Sequence, residues 1–206
     1  MKKQLKIIFS FIFVFISFLS KTLAYTNDAK IFQSRLNQIH SFRAEFTQKI
    51  IDTEGNCLQK SVGVLTIKRP NLFIWHTTIP DETILISDGK TLWFYNPFIE
   101  QVTANWLEDV SVHVPYLLII GDTTNLYQYN IKKKDDNFYL IPKSNRIDLK
   151  KIKITISIRG IITNFSLIEK NGQQNIIEII NQKNSQIKDT EFHFIIPKGV
   201  ILDDQR

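Results

Sequence analysis

The side chains that could do chemistry are few and scattered. Four histidines stand at His40, His76, His113 and His193, with no spacing that would let two of them share a metal. The single cysteine, Cys57, has no histidine beside it in the chain, and no G-x-S-x-G, H-E-x-x-H or glycine-rich phosphate loop occurs. Glu54, Glu82, Glu100 and Glu108 neighbour turns or helix starts, where a carboxylate is commonly just solvated. The inventory points away from an enzyme, a metal site or an organic cofactor. One residue asks a different question. In "KRPNLFIWH" (68–76), Arg69 stands at the head of an apolar run of Leu72, Phe73, Ile74 and Trp75. Its guanidinium effectively never deprotonates, and its five donors can tie several backbone carbonyls at once. The plainer alternative is a surface arginine capping a strand end.

The elements around it are mostly strands. "NDAKIFQSRLNQIHSF" first sets Ile31, Phe32, Leu36 and Ile39 at helical spacing, with Asn27 or Asp28 placed to cap the helix. After Ser41 the period changes: Phe42, Ala44 and Phe46 alternate with Arg43, Glu45 and Thr47, the pattern of a half-buried strand. Turn signals such as Asp88-Gly89, Asn96-Pro97 and Asn171-Gly172 then separate "SVGVLTIK", "ETILIS", "TLWFY", "NFYLIP", "KIKITISI", "IITNFSLI", "QNIIEII" and "EFHFIIP". In "KIKITISI" Ile152, Ile154, Ile156 and Ile158 face one way, and Lys151, Lys153, Thr155 and Ser157 the other. "TANWLEDVSVHVPYLLIIGD" breaks the pattern. Trp106, Leu107 and Val110 fit a helical face, Pro115 interrupts, and Tyr116 to Ile120 ends at Gly121, so one or two short helices are expected. The fold class is mainly β with small α: roughly ten antiparallel strands with two or three helices, in one domain. A sheet that long must curl, and the helices are the elements able to cover its open side. The pattern leaves open whether the interior is packed solid or holds a ligand.

The chain opens with Lys2, Lys3 and Lys6, an apolar run from Ile7 to Leu19, and Thr22-Leu23-Ala24, the layout of a secretory signal peptide. That run is short of the roughly 20 residues of a membrane span, so residues 1–24 are expected to be cleaved, the alternative being a retained anchor helix. Tyr25 follows the cleavage site, so no lipid-attachment cysteine is present there. The whole chain carries 26 basic and 20 acidic residues; without the leader's four lysines the balance is 22 to 20, too even for a general binder of nucleic acid or of membrane surfaces. One cysteine allows no internal disulfide, so the core of residues 25–206 must hold by burial.

"RPNLFIWHTTIPDETILISDGKTLWFYNPFIEQVTANWL" (69–107) resembles the LolA family, the periplasmic outer-membrane lipoprotein carriers. The likeness lies in the R-P-N-L-F-x-W block, the P-D-E-x-I-L run, the D-G-K-T-L-W-F-Y-N-P hairpin and the E-Q after it. It extends to "SRLNQIHSFRAEFTQK" (34–49) and to the ending "PKGVILDDQR" (197–206). The resemblance implies an incomplete, unclosed antiparallel β-barrel covered by a short-helix lid. It implies a monomeric chaperone that accepts triacylated lipoproteins from an inner-membrane ABC transporter and passes them to the outer-membrane receptor LolB. Such a shelter is physically necessary, since each buried CH₂ contributes ~0.8 kcal/mol and three acyl chains are effectively locked in a bilayer. The resemblance also gives Arg69 a role, hydrogen-bonding the lid so that the empty cavity stays shut.

The cavity wall is less determined. A two-residue hairpin at Asp88-Gly89 would pair Ile86 with Thr91, Leu85 with Leu92 and Ile84 with Trp93. Leu85, Leu92 and Phe94 then share one face, and Ile84, Ile86, Trp93 and Tyr95 the other; both are apolar. Trp93 is expected inward because exposing it beside Tyr95 would be costly. Phe73 and Trp75 share a face and join Leu85, Ile154 and Ile156 as wall candidates, although Ile74 makes that strand apolar on both sides. Ile31 or Phe32, with Leu36, Leu117 and Leu118, would form the lid's underside. A sensor of the same fold that binds acyl chains and signals through a partner is the alternative function, and a solid structural β-domain a third.

Overall fold

A computed structural model describes residues 27–110, 117–121, 123–145 and 148–206. The expected leader, 1–24, lies outside them, as do His113, Pro115 and Tyr116 of the expected lid segment. The described chain forms helix α1 (Asn27–Leu36), then β1 (Ser41–Ile51), β2 (Cys57–Lys68), β3 (Leu72–Ile79), β4 (Thr83–Asp88), β5 (Thr91–Asn96) and β6 (Gln101–Trp106). Short helices α2 (Leu107–Val110) and α3 (Leu117–Ile120) follow, then β7 (Tyr129–Lys134), β8 (Asn137–Pro142), β9 (Leu149–Ile156), β10 (Ile162–Glu169), β11 (Gln174–Asn184) and β12 (Ile201–Asp204). All twelve strands lie in one sheet, ordered β12-β6-β5-β4-β3-β2-β1-β11-β10-β9-β8-β7. Its two edges, β12 and β7, do not pair, so the sheet curls without closing.

One face of this sheet is largely apolar from β5 to β7 and turns polar at Thr103 and Asn105 of β6. Phe42, Ala44 and Phe46 of β1 stand opposite Ile67, Leu65 and Gly63 of β2, which stand in turn opposite Phe73, Trp75 and Thr77 of β3. On the other side Phe46 is paired with Ile179, Ile177 with Phe165, Phe165 with Ile154, and Ile154 with Phe138. Gly63 is required here: a Cβ would sit 2.0 Å from the His76 carbonyl oxygen and 2.7 Å from the Phe46 ring. Its absence lets Phe46 stack on Trp75, ring centres 4.3 Å apart. The alternation of "KIKITISI" holds for Ile152, Ile154 and Ile156, which are fully buried, while Ile158 lies past the strand end and is exposed.

The opposite face is covered over β3–β6. "EFHFIIP" is not a strand; a 3-10 turn at Asp189–Phe192 leads into irregular chain that crosses this face. Phe192 is fully buried, and Phe194 lies 5.7 Å from the Trp93 ring and 5.9 Å from Tyr95. β12 then pairs in parallel with β6, and Arg206 stacks over Trp93 and Trp106. At the other end, Lys68 donates to the Ile187 carbonyl at 2.7 Å and pairs with Asp189.

The hairpin at Asp88-Gly89 differs from expectation in register. Its first strand pair is Ser87 with Leu92, so four residues make the turn, and Ile86 meets Trp93 where Thr91 was expected. The Asp88 carboxylate explains the longer loop, accepting the N–H groups of Lys90 at 2.9 Å and Thr91 at 2.8 Å. A displacement of two residues preserves facing, so the two face groups survive. Trp106 belongs to β6, not to a helical face; α2 starts one residue later.

Candidate functional site

Arg69 sits in the turn between β2 and β3, where Asn71 has φ 65° and the main chain is pinned by Arg69 N–H to the His40 carbonyl at 2.9 Å. Its guanidinium forks. One amino group donates to the Leu36 carbonyl at the end of α1, the other to the Gly121 carbonyl just past α3 at 3.0 Å. Carbonyls at helix C-termini lack intrahelical partners and carry partial negative charge, so a fixed cation is well matched to both. Asn71 N–H adds a third tie to the Ile120 carbonyl at 3.1 Å. Two lid helices far apart in sequence are thus fastened at one point. Gly121 permits the approach, because a Cβ there would meet the Leu117 carbonyl oxygen at 2.6 Å and the Asn71 side chain at 3.3 Å.

Beneath the lid the described residues pack closely against the apolar face. Phe32 and Leu36 of α1 are fully buried, Leu117 of α3 is buried, and Leu118 and Ile31 are half-buried against the same core. Ile120, not foreseen as lid underside, is 1% exposed. Between it, Leu65, Ile67 and Trp75 on one side, and Phe165, Ile177 and Ile179 on the other, remains a void of about 10 Å³, lined almost wholly by carbon. That is room for roughly one water molecule. A void of that size has no room for an acyl chain.

The structure brings some wall candidates together and separates others. Trp75 lines the void, and Phe73 and Leu85 lie on the same inner face, Trp75 paired with Leu85 and Phe73 with Ser87. Ile154 and Ile156 are on that face too, but toward α1: Ile154 pairs with Phe138, which stacks on Phe32 with ring centres 4.9 Å apart. Trp93 turns the other way. It shares its face with Ile86, Val102 and Ala104 and lies under Phe194 and Arg206, so its exposure to water is avoided by the C-terminal segment and not by inward facing. Its indole N–H donates to Asp88 at 2.9 Å. Partial burial by itself raises the Asp88 carboxyl, but the Thr91 N–H, the indole and the Lys90 N–H, with His193 nearby, hold it below its ordinary 3.8.

A second arginine escapes sequence reasoning. Arg35 is buried on the inner face of α1, donates to the Asp136 carboxylate at 2.6 Å and to the Ile156 carbonyl, and lies 5.2 Å over the Phe138 ring. A signal exists: position 35 falls inside the stripe of Phe32, Leu36 and Ile39, where a cation is out of place. Asp28, one of the two residues expected to cap α1, accepts the Lys133 N–H of β7 at 3.0 Å. His76 pairs with Glu82 at 2.8 Å, and Cys57 is exposed. Among the described residues no three of His, Cys, Asp and Glu gather as a metal cluster, and no helix is long and apolar enough to cross a membrane.

Comparison with known proteins agrees with this geometry. Residues 37–195 match the family model described as outer membrane lipoprotein carrier protein LolA. An outer-membrane lipoprotein carrier protein of Sodalis glossinidius is 49% identical over 184 residues, covering 89% of this chain and 91% of that one. One from Pectobacterium atrosepticum is 47% identical over 188 residues, covering 91% and 93%. The crystal structure of a LolA superfamily protein from Nitrosomonas europaea superposes with a TM-score of 0.50 at 13% identity, covering 82% of this chain and 98% of that one, a likeness of fold alone. The chain therefore belongs to the LolA family of outer-membrane lipoprotein carriers.

Proposed function

We propose that residues 25–206 form a single periplasmic domain, released from its leader at Ala24, that accepts triacylated lipoproteins from an inner-membrane ABC transporter and delivers them to the outer-membrane receptor LolB. The acyl chains lodge between the inner face of the sheet, at Phe73, Trp75 and Leu85, and the lid. One observation carries the reading: among the described residues the apolar inner face lies packed beneath the lid around a void of about 10 Å³, and Arg69 holds both lid helices through hydrogen bonds to their end carbonyls. Acyl burial supplies the free energy to break those bonds, and their re-formation favours release of the cargo to the receptor. A site with a permanently open, well-fitted pocket would bind its cargo without a means of letting go. The test is extraction. Purified 25–206 is incubated with vesicles that hold a labelled triacylated lipoprotein and the transporter, with ATP. A soluble one-to-one complex is expected, and its transfer onto LolB-bearing membranes. No soluble cargo, while a relative's carrier works in the same vesicles, would refute the assignment.

A further inference from the structure

The lid is not one object. Helix α1 is fastened along its length to the far edge of the sheet. Near its start the Asp28 carboxylate takes the Lys133 N–H of β7, in its middle Phe32 stacks on Phe138 of β8, and at its end Arg35 reaches Asp136 and the Ile156 carbonyl. Gly160, in the turn after β9, also packs close to the helix end, where a Cβ would stand 3.0 Å from that of Gln38. Helix α3 is tied differently. Among the described residues, the bonds that reach it from the sheet are those at its C-terminus, from Arg69 and the Asn71 N–H. The residual void has the same asymmetry: Ile120 of α3 forms its roof, and among the described residues α1 contributes nothing to its lining.

We propose that Arg35 is a positioning residue that fixes α1 as the stationary half of the lid, so that α3 alone swings away and acyl chains enter beneath Ile120. The proposal rests on the carrier reading for its cargo but not for its motion. Arg69 then makes two unequal bonds: the one to Leu36 persists on opening, and the one to Gly121 breaks. The Arg35–Asp136 pair has one partner largely in water, yet Arg35 itself is only 10% exposed and also holds a main-chain carbonyl. Losing it frees α1 from β9 without touching α3.

The test is thiol labelling without cargo. In a Cys57→Ser background, Ile120→Cys and Phe32→Cys each bury one thiol, so labelling under native conditions reads local opening. The Ile120→Cys thiol is expected to react at least about tenfold faster than the Phe32→Cys thiol, since one fewer charge-assisted anchor shifts an opening equilibrium by that much or more. Adding Arg35→Gln, or the milder Asp136→Asn, should raise the Phe32→Cys rate about tenfold and leave the Ile120→Cys rate unchanged. Equal rates at the two thiols, or an anchor variant that speeds both alike, overturns the proposal. Hydrogen exchange on the unaltered chain probes the same asymmetry if the variants fold poorly: the Asn71 amide, bonded to Ile120, must exchange faster than the Lys133 amide, bonded to Asp28. Cargo is absent throughout, so a failed extraction assay leaves this result standing, and the reverse.

Discussion

Replacing Arg69 with leucine should tighten binding, not weaken it. The guanidinium donates to the main-chain carbonyls of Leu36 and Gly121, and the bond to Gly121 is the one broken when α3 swings away. Bonds to a charged group contribute about 1.5–3 kcal/mol each, and the lower figure suits a half-buried pair whose carbonyls rehydrate on opening. The closed state therefore loses about 1.5 kcal/mol relative to the open one, on the order of a tenfold change in their ratio. Because apparent affinity scales with the fraction of molecules that are open, an apolar fluorescent probe should bind Arg69→Leu up to about tenfold more tightly, the gain ending once the open form dominates. Release of cargo should slow by a comparable factor. Arg69→Lys should fall between, since one ammonium is a point charge and cannot fork to both carbonyls. The assay is a probe titration beside a cargo-transfer time course. A folded Arg69→Leu that binds the probe no more tightly than wild type would refute the latch.

Gly121→Ala should act as a mild version of the same change: its Cβ would stand 2.6 Å from a main-chain oxygen, which cannot step aside, so probe affinity should rise while the melting temperature drops only slightly. Gly63→Ala should instead damage the sheet, because the His76 carbonyl and the Phe46 ring occupy the space; a loss of about 3 kcal/mol or more is expected from denaturant titration, and a neutral result would contradict the stacking described. Asp88 gives a pH signature. Its folded carboxyl titrates below 3.8, so it contributes stability that is present above pH 3.8 and lost as the pH falls through the lower folded value. Asp88→Asn should accordingly show a smaller fall in melting temperature between pH 5 and pH 2 than wild type, and an equal fall would contradict the Asp88 hydrogen bonds as the source.

What can be read from the sequence is governed by whether burial follows a single period. The inner face of β9 is legible because Ile152, Ile154 and Ile156 meet the core and Lys151 and Lys153 meet water. The face of β5 is not, because Trp93 and Phe94 are both apolar; only the C-terminal segment, which covers Trp93 with Phe194, decides between them. That segment itself reads as a strand, since Phe192 and Phe194 alternate with His193 and Ile195, but the pattern there reports a covered surface and not a ladder of hydrogen bonds. The converse holds for β12, whose Ile201 and Leu202 are exposed and whose strand character comes from pairing with β6. Arg69 stands out because a fixed charge beside apolar bulk is unusual and because its block matches the family. Arg35 is hidden among residues that otherwise make a good amphipathic helix, and Asp136, its partner, lies 101 positions away.

The central claim is that acyl chains occupy the inner face of the sheet beneath the lid, and a photoreactive side chain can test it directly. Placed at position 75, beside the void, it should cross-link to the acyl chains of a bound lipoprotein; placed at position 93, on the covered outer face, it should not. Cross-links from 93 as strong as those from 75, or none from 75 in a demonstrated one-to-one complex, would place the cargo elsewhere and contradict the account.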